Sequence, residues 1–271
     1  MPVRTAENST VERVAAFVPS LAPPADHEGP ALWFHVRGAE LHIAGARVID
    51  DVEPVFLGML DDHACWAVDA DSAEPDGFVA LRGLYGVVPD EHWTIAGRAV
   101  QLVEWERTHR YCGRCGTPTE PSPNERAKRC PECGLQAFPR LAPAIITLVE
   151  RDDEVLLARG VQFPLPMYSC LAGFVEPGET LEQAVAREVR EEVGVELTDI
   201  TYVGSQPWPF PHSLMIGFNA RWQRGDIVCD PAEIVDAGWF RADSLPMIPP
   251  GISIARQLID RWLLRSSSSP R

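Results

Sequence analysis

Positive charge is scarce in this 271-residue chain. Its 24 lysine and arginine residues stand against 39 aspartate and glutamate residues, which gives a formal net charge of -15 at pH 7. Proteins that bind nucleic acids nonspecifically neutralise phosphates with many lysines and arginines. The composition therefore argues against a general polyanion binder, and any phosphate-bearing ligand needs cations at its own binding site.

Long hydrophobic runs are also lacking. The first residues, MPVRTAENSTVERVAAF, contain neither a basic segment nor an apolar segment of the kind that forms a secretory signal. The apolar stretch LAPAIITLV (141–149) is far shorter than the roughly 20 residues that a membrane helix needs. The sequence therefore predicts a soluble protein without a signal peptide or a membrane partner.

Cysteines are few, and their grouping fits a reducing compartment. Four of the seven form two Cys-x-x-Cys pairs, whereas Cys65, Cys170 and Cys229 stand alone among apolar neighbours. An odd number with this grouping does not fit the disulfide framework of a small secreted domain. We therefore expect a cytoplasmic location.

The apolar pattern divides the chain into four parts and predicts the α+β class. Residues 1–108 contain short apolar runs separated by Gly, Pro and Asp, which predicts a small β-rich domain. Residues 109–139 hold the cysteine pairs, and residues 140–265 predict a mixed sheet with packed helices. Residues 266–271 are polar and are predicted to form a disordered tail.

Helical spacing of apolar residues predicts two helices at the ends of the larger parts. One lies in DEHWTIAGRAVQLVEWERTHR (90–110) and leads directly into the first cysteine pair. The other lies in SIARQLIDRWLL (253–264) and closes the last domain. Its predicted apolar face consists of Ile254, Leu258, Ile259, Trp262 and Leu263.

The cysteine pairs predict a zinc site. Cys112 and Cys115 form the first pair, Cys130 and Cys133 form the second, and each pair lies in a glycine-containing turn. Four thiolates fill a tetrahedral coordination sphere, so we expect one structural zinc ion per chain. Two unrelated reduced pairs, a redox-active pair and a nucleic-acid-binding ribbon are the alternatives. Redox chemistry needs only one pair, and the negative charge disfavours the ribbon's binding to nucleic acid.

The segment GFVEPGETLEQAVAREVREEVGV (173–195) is rich in glutamate and has no lysine. Thr180 is the expected N-cap of a helix that runs to Val193 and stops at Gly194. Within this helix, three carboxylates lie three and four positions apart and therefore share one face. They belong to Glu188, Glu191 and Glu192.

Crowded carboxylates repel one another as bare anions, but hard divalent cations replace that repulsion with attraction. Arg187 is placed to neutralise and orient one of the carboxylates, and Glu179 in the preceding loop reaches the same cluster. A plain solvated helix is the alternative, but such faces normally interleave lysine with glutamate. The segment therefore predicts a magnesium-binding surface.

A second unusual segment, SQPWPFPHSLM (205–215), combines two aromatic rings with three prolines. Because proline fixes the backbone, Trp208 and Phe210 are expected to stand as rigid flat walls in a stiff loop. Nucleotide bases suit such walls. An ordinary proline-rich turn with core aromatics is the alternative.

The glutamate-rich segment reads G-x5-E-x7-R-E-V-x-E-E-x-G-V, and this string resembles the signature of the Nudix hydrolases. The loop at 205–215 and the paired cysteines resemble those of the NADH pyrophosphatase subgroup, whose members also remove NAD caps from RNA. The resemblance covers the first hundred residues only in general arrangement. It implies a zinc ribbon followed by a Nudix α/β/α sandwich.

The resemblance also implies site residues. Glu188, Glu192, Glu233 and the carbonyl of Ala172 would hold two or three magnesium or manganese ions, with Glu191 in the same cluster. Phe174 would stack on the nicotinamide side. Phe138 stands where relatives commonly have tyrosine and lacks its hydroxyl. The implied substrate-binding residues, in addition to Phe174, are Gln206, Pro207, Trp208, Pro209, Phe210, Pro211, His212, Ser213, Glu125, Phe138, Ala255 and Arg82.

The implied activity is metal-dependent hydrolysis of the diphosphate bond of NADH or NAD to NMNH or NMN and AMP, with removal of NAD caps from RNA. A homodimer would carry it out, and Glu191 or Glu233 would accept the proton of the attacking water. One alternative is a Nudix hydrolase of another nucleoside diphosphate derivative such as ADP-ribose. The other is a zinc-ribbon module that senses nucleotide without catalysis, against which the intact glutamate cluster argues.

Overall fold

The structure is a computed structural model that describes residues 17–72, 76–163 and 166–268. The chain forms two compact units, Met1–Arg140 and Leu141–Arg271. Parts of two predicted regions, residues 1–16 of the first domain and 269–271 of the tail, lie outside the described residues. Within the described ranges, no helix is both long enough and apolar enough to cross a membrane.

The first unit contains a six-stranded sheet and one long helix, as the short apolar runs predict. The strand order is β1-β4-β5-β2-β3-β6, with β2 parallel to β5 and the other neighbours antiparallel. The elements are β1 (Phe17–Pro19), β2 (Ala31–Arg37), β3 (Glu40–Ala44), β4 (Val55–Leu60), β5 (His63–Asp69), β6 (Val79–Ala80), a 3-10 turn (Leu81–Leu84) and α1 (Asp90–Thr108). Helix α1 buries Ile95, Ala99 and Leu102.

A small antiparallel sheet follows α1, with the first cysteine pair before its first strand and the second pair between its last two strands. Its strands are β7 (Glu120–Pro121), β8 (Lys128–Arg129) and β9 (Gln136–Ala137). The Lys128 ammonium lies 2.5 Å from a carboxylate oxygen of Glu106 in α1. This ion pair ties the small sheet to the helix that precedes it.

The second unit is built on a mixed sheet. Its strand order is β13-β14-β10-β11-β15, with β12 paired to β10, and β10 and β14 are parallel while the other pairs are antiparallel. The elements are β10 (Ala142–Arg151), β11 (Glu154–Gly160), β12 (Leu171–Phe174), α2 (Leu181–Val193), β13 (Glu196–Trp208), β14 (Ser213–Arg224), β15 (Ile234–Arg241) and α3 (Ile254–Ser268).

The two helices cover opposite faces of this sheet. Because successive side chains of a strand point to opposite faces, Leu156 of β11 packs in one cluster with Val189 of α2. The neighbouring Val155 and Leu157 pack on the other face with Leu258 of α3. The predicted α/β/α sandwich is therefore confirmed.

Helix α2 begins and ends at the predicted residues. The Thr180 hydroxyl accepts a hydrogen bond from the Gln183 amide, and the Gln183 side chain accepts one from the Thr180 amide, which completes a capping box. At the other end, Gly194 adopts the left-handed conformation with φ 73, which favours glycine. Four residues of the apolar stripe are fully buried: Ala184, Val185, Val189 and Val193.

Two local predictions are wrong. Helix α3 runs to Ser268, so residues 266–268 are helical and not part of a disordered tail. The Ser266 and Ser267 hydroxyls donate to the carbonyls of Trp262 and Leu263, four positions earlier in the helix. The stiff loop at 205–215 is largely a hairpin, because β13 extends to Trp208 and Pro207 pairs with Leu214 of β14. Proline is tolerated here because β13 is an edge strand with one open side.

Candidate active site

Arg187 of α2 is the centre of a dense ionic network. Its Nε donates to Glu179 Oε1 at 2.5 Å and its Nη2 to Glu179 Oε2 at 2.9 Å. Its Nη1 donates to Glu188 Oε1 at 2.8 Å and to Glu191 Oε2 at 3.0 Å. Nη2 also donates to the Phe174 carbonyl at 2.9 Å, which links the helix to the end of β12. The structure thus brings together the arginine and three of the predicted glutamates.

The same network fixes the loop between β12 and α2. Hydrogen bonding from Arg187, followed by that from the Glu176 amide, lowers the pKa of Glu179 to about 2. Glu179 is therefore a fixed anion at neutral pH. It holds the guanidinium in place and leaves one side of it free to orient Glu188 and Glu191.

Glu192 is buried without a partner. Its side chain lies on α2 next to the network, the residue is 7% exposed, and its Oε2 has no hydrogen-bond partner. Burial, and then the charges of Glu188 and Glu233, raise the pKa of Glu192 to about 8. Burying an unpaired carboxylate is costly, whereas hard divalent cations favour such oxygen ligands. The donor set therefore fits a divalent cation held by Glu188, Glu192 and Glu233.

Glu233 reaches this cluster from the loop between β14 and β15. The loop is fastened to the end of α2, since the Asp230 amide donates to the Glu192 carbonyl at 2.9 Å and the Val228 amide to the Val193 carbonyl at 2.9 Å. Asp230 Oδ1 accepts from the Ala232 amide at 2.9 Å, and its carbonyl accepts from the Glu233 amide at 3.1 Å. Asp230 thus positions Glu233, a role that the sequence reasoning missed although an Asp-Pro turn was visible.

The glutamate oxygens are near one another but are not gathered around a point. Among the described residues, the four cysteines are the only group of three or more His, Cys, Asp or Glu residues whose ligand atoms all lie within 4.8 Å of one another. Burial, together with the charges of Glu191 and Glu233, raises the pKa of Glu188.

Two predicted residues lie on β12 beside the network. Phe174 is 57% exposed, while its carbonyl is held by Arg187. Ala172 is partly buried and pairs with Ile146 of β10. The exposed Phe174 ring is therefore available to stack on a ligand, while Arg187 holds the backbone that carries it.

The hairpin between β13 and β14 presents a pair of aromatic rings. The Trp208 and Phe210 centroids are 5.0 Å apart with an interplanar angle of 68°, an edge-to-face arrangement. Both rings are half-buried, as is His212. The remaining predicted residues of the turn divide into exposed Pro207 and Pro211 and buried Pro209 and Ser213.

The side chains of Gln206 and Ala255, both predicted to bind substrate, are engaged by other parts of the protein. The Gln206 amide bonds to the backbone of Ile252 and Ile254. Ala255 is 3% exposed and belongs to the core cluster under α3. The Ala255 side chain is thus occupied by packing.

Three predicted substrate residues belong to the first unit. Glu125 Oε1 accepts a hydrogen bond from Gln136 Nε2 at 2.8 Å. Phe138 is 53% exposed, and Arg82 is exposed on the 3-10 turn before α1. Their roles toward a substrate stay predictions.

The four cysteines fit zinc. The Sγ atoms of Cys112 and Cys133 are 3.5 Å apart, as are those of Cys115 and Cys130, and the Cys115–Cys133 distance is 3.7 Å. Four sulfurs around a tetrahedral zinc ion are separated by about 3.8 Å. The Arg114 amide donates to the Cys112 sulfur, which lowers the pKa of that thiol, and the Cys133 amide donates to the Cys130 sulfur. All four ligand positions are filled, so the site is structural.

Family models match almost the whole described chain. A model of the NUDIX domain matches residues 139–262. A model described as NADH pyrophosphatase zinc ribbon domain matches residues 107–138. A third, described as NADH pyrophosphatase-like rudimentary NUDIX domain, matches residues 16–105.

Curated relatives extend over nearly the full chain as well. The chain is 45% identical over 261 residues to an NAD-capped RNA hydrolase NudC from Deinococcus radiodurans, with 92% of each chain covered. It is 50% identical over 220 residues to the protein of the same description from Stutzerimonas stutzeri, covering 81% of this chain and 77% of the relative. A crystal structure of a NUDIX hydrolase from Nitrosomonas europaea matches with a TM-score of 0.51 at 22% identity, covering 59% of this chain and 94% of that one, which supports the fold.

Proposed function

The chain belongs to the Nudix hydrolase family, in its NADH pyrophosphatase branch with a zinc ribbon, and from this premise we propose its reaction. It hydrolyses the diphosphate bond of NADH or NAD to NMNH or NMN and AMP, and it removes NAD caps from RNA 5′ ends. Both substrates present the same bond, so one site serves for both. The relatives described as NAD-capped RNA hydrolases support this assignment.

One observation carries the proposal: Glu192 is buried and unpaired beside Glu188 and Glu233. A protein that used this helix only for stability would have no reason to bury a carboxyl group without a hydrogen-bond partner. The same cluster explains how a chain with a formal charge of -15 binds an anionic diphosphate, because bound cations reverse the sign of the local field. We propose that each site binds two or three magnesium or manganese ions.

The chain's own residues bind and orient the substrate. When bound, the divalent cations would neutralise the diphosphate and lower the pKa of a coordinated water. Phe174 offers its exposed ring to the nicotinamide, and the Trp208 and Phe210 pair provides a rigid wall for a base. Arg187 donates hydrogen bonds to the Phe174 carbonyl and the Glu188 carboxylate and so fixes their relative positions.

Water adds to one phosphorus, the bridging P–O bond breaks, and a carboxylate accepts the proton of the water. The two candidates for this base are Glu191 and Glu233. Glu191 is more than half exposed and receives only one hydrogen bond from Arg187. Glu233 is set by the Asp230 turn at the end of α2.

Assembly and location complete the proposal. The enzyme acts as a homodimer in the cytoplasm, and the location accords with an odd number of cysteines, four of which form two Cys-x-x-Cys pairs. Glu125, Phe138 and Arg82 are proposed to contact the substrate, whereas Ala255 is buried in the core and its side chain serves packing. Light scattering coupled to gel filtration measures the dimer directly.

The test compares purified protein, supplied with magnesium or manganese, on NADH, on an NAD-capped RNA oligonucleotide and on ADP-ribose. NMNH or NMN release and 5′-monophosphate RNA are followed in parallel. We expect turnover of the first two with a higher kcat/KM than that for ADP-ribose. A preference for ADP-ribose would replace the proposed substrate, and inactivity on all three would favour a nucleotide sensor.

A further inference from the structure

Gln206 joins two elements that are far apart in sequence. Its Nε2 donates to the Ile252 carbonyl at 2.8 Å, and its Oε1 accepts from the Ile254 amide at 2.7 Å. The donor and the acceptor of one amide group therefore bind a carbonyl and an N–H of the same short segment. Because the two atoms have opposite hydrogen-bonding roles, flipping the amide would break both bonds.

The segment that Gln206 binds is the start of α3. The first amides of a helix have no partner within the helix, and side-chain oxygens satisfy them. Ser253 Oγ accepts from the Arg256 amide at 3.3 Å, while Gln206 takes the amide of Ile254, the first residue of α3. Gln206 thus acts as a second cap that comes from a different part of the chain.

Packing makes the same junction rigid. A side-chain carbon placed on Gly217 of β14 would lie 2.9 Å from Ile254 Cδ1, so the Ile254 side chain fills the space above this glycine. Gly217 is paired with Gly204 of β13, two residues before Gln206. Helix α3 therefore begins directly against the hairpin that carries Trp208 and Phe210.

We propose that Gln206 is a positioning residue that fastens the hairpin of Trp208 and Phe210 to the first turn of α3. This inference rests on the proposed function, in which those rings bind the substrate. It revises the expectation that Gln206 serves as a substrate contact. Trp208 lies only two residues beyond Gln206 on the same strand, so a shift of this strand end moves the ring.

The test uses Gln206→Met, which keeps the length of the side chain and removes both hydrogen bonds. Gln223→Met is the matched control, because Gln223 is exposed on the partner strand β14. Hydrogen exchange of the Ile254 amide is measured in the ligand-free protein. We expect exchange about tenfold faster in Gln206→Met, in line with the loss of two hydrogen bonds, and no change in Gln223→Met.

Kinetics on NADH separate a positioning role from a direct contact. Gln206→Met and Trp208→Ala are each expected to raise KM about tenfold or more while changing kcat less, since a rigid binding wall is lost. A residue that acts through the two rings of the hairpin has no further effect once both rings are absent, so adding Gln206→Met to Trp208→Ala/Phe210→Ala should leave the KM of that double variant unchanged. A further rise in KM in the triple variant would assign Gln206 to the substrate instead.

The outcomes distinguish this inference from the proposed function. Unchanged Ile254 exchange in an active Gln206→Met variant would overturn the positioning role and leave the enzyme assignment intact. Wild-type protein that hydrolyses neither NADH nor capped RNA would overturn the proposed function, and the role of Gln206 in substrate binding with it. Faster exchange, raised KM and a triple variant equal to Trp208→Ala/Phe210→Ala would support both.

Discussion

Gly173 and Glu188 lie so close that a side-chain carbon built on Gly173 would be 2.0 Å from the carboxyl carbon of Glu188. The glycine is needed for this close approach, because the Glu188 carboxylate occupies the space where any other residue would place its Cβ. Strand β12 and helix α2 can thus meet around the carboxylate. The first glycine of the family signature is therefore explained by one contact.

Gly173→Ala should displace Glu188 without unfolding the protein. We expect kcat/KM for NADH to fall on the order of 100-fold, since displacing a catalytic group by about 1 Å has effects of that size. Gly204→Ala is the matched control, because nothing lies within 4 Å of a side-chain carbon at that position. Equal activity of the two variants would show that the position of Glu188 is not critical.

Glu192→Gln should abolish most activity while leaving the fold intact. The amide replaces a buried carboxyl group that has no hydrogen-bond partner and whose charged form is disfavoured by burial, so unfolding without divalent cations should need at least as much free energy as in the wild type. Loss of a cation ligand should lower kcat/KM on the order of 100-fold or more. The control is Glu182→Gln, an exposed residue in the first turn of α2. Thermal melts with and without magnesium, paired with NADH turnover, check both parts.

Cys130→Ser should damage the first unit. Structural zinc contributes folding free energy directly, so we expect the melting temperature to fall by about 10 °C or more, with zinc content well below one ion per chain. Cys229→Ser, which changes a cysteine outside the four-sulfur cluster, should keep its zinc. A Cys130→Ser protein with normal zinc content and melting temperature would contradict the structural site.

His35 should make the stability of the protein depend on pH. This buried residue accepts a hydrogen bond from the Val48 amide at 3.1 Å through Nε2, and its Nδ1 has no partner. Burial holds the pKa of His35 below its usual value of 6.5 in the folded state. The unfolded chain then binds more protons, so the stabilisation is complete above about pH 6.5 and is lost as the pH falls from that value through the lower pKa of the folded state.

We therefore expect the free energy of unfolding of the wild type to drop between pH 7.5 and pH 5.5 by about 1 kcal/mol more than that of His35→Gln. Glutamine keeps an acceptor for the Val48 amide but does not titrate. His63→Gln is the control, since this imidazole is far more exposed and lies beside Asp62. Denaturant unfolding at both pH values gives the difference, and parallel curves for wild type and His35→Gln would refute the effect.

Much of the site could be predicted from the sequence because it is built on one helix. Positions three and four apart share a face, so Glu188, Glu191 and Glu192 had to lie together once α2 formed. The N-cap at Thr180 and the stop at Gly194 are equally local signals. The cysteine spacing likewise predicts a four-sulfur cluster, and the sulfurs lie at distances that fit zinc.

Other features could not be predicted because they depend on segments that meet only in the folded chain. Pro207 lies in a strand because β14 pairs with it and the edge of the sheet tolerates a missing N–H. Asp230 positions Glu233 because its amide meets the end of α2. Nothing in the local sequence indicates that Pro207 pairs with β14 or that Asp230 contacts the end of α2.

Periodicity, capping and ligand spacing along the chain are enough to specify the helix with its carboxylates and the cysteine cluster. Three features arise only when the chain folds: the burial of Glu192 without a partner, the close approach of Glu188 to Gly173, and the bonding of Gln206 to the start of α3. The physical reason is that burial, close approach and long-range hydrogen bonds depend on which distant surfaces the sheet brings together.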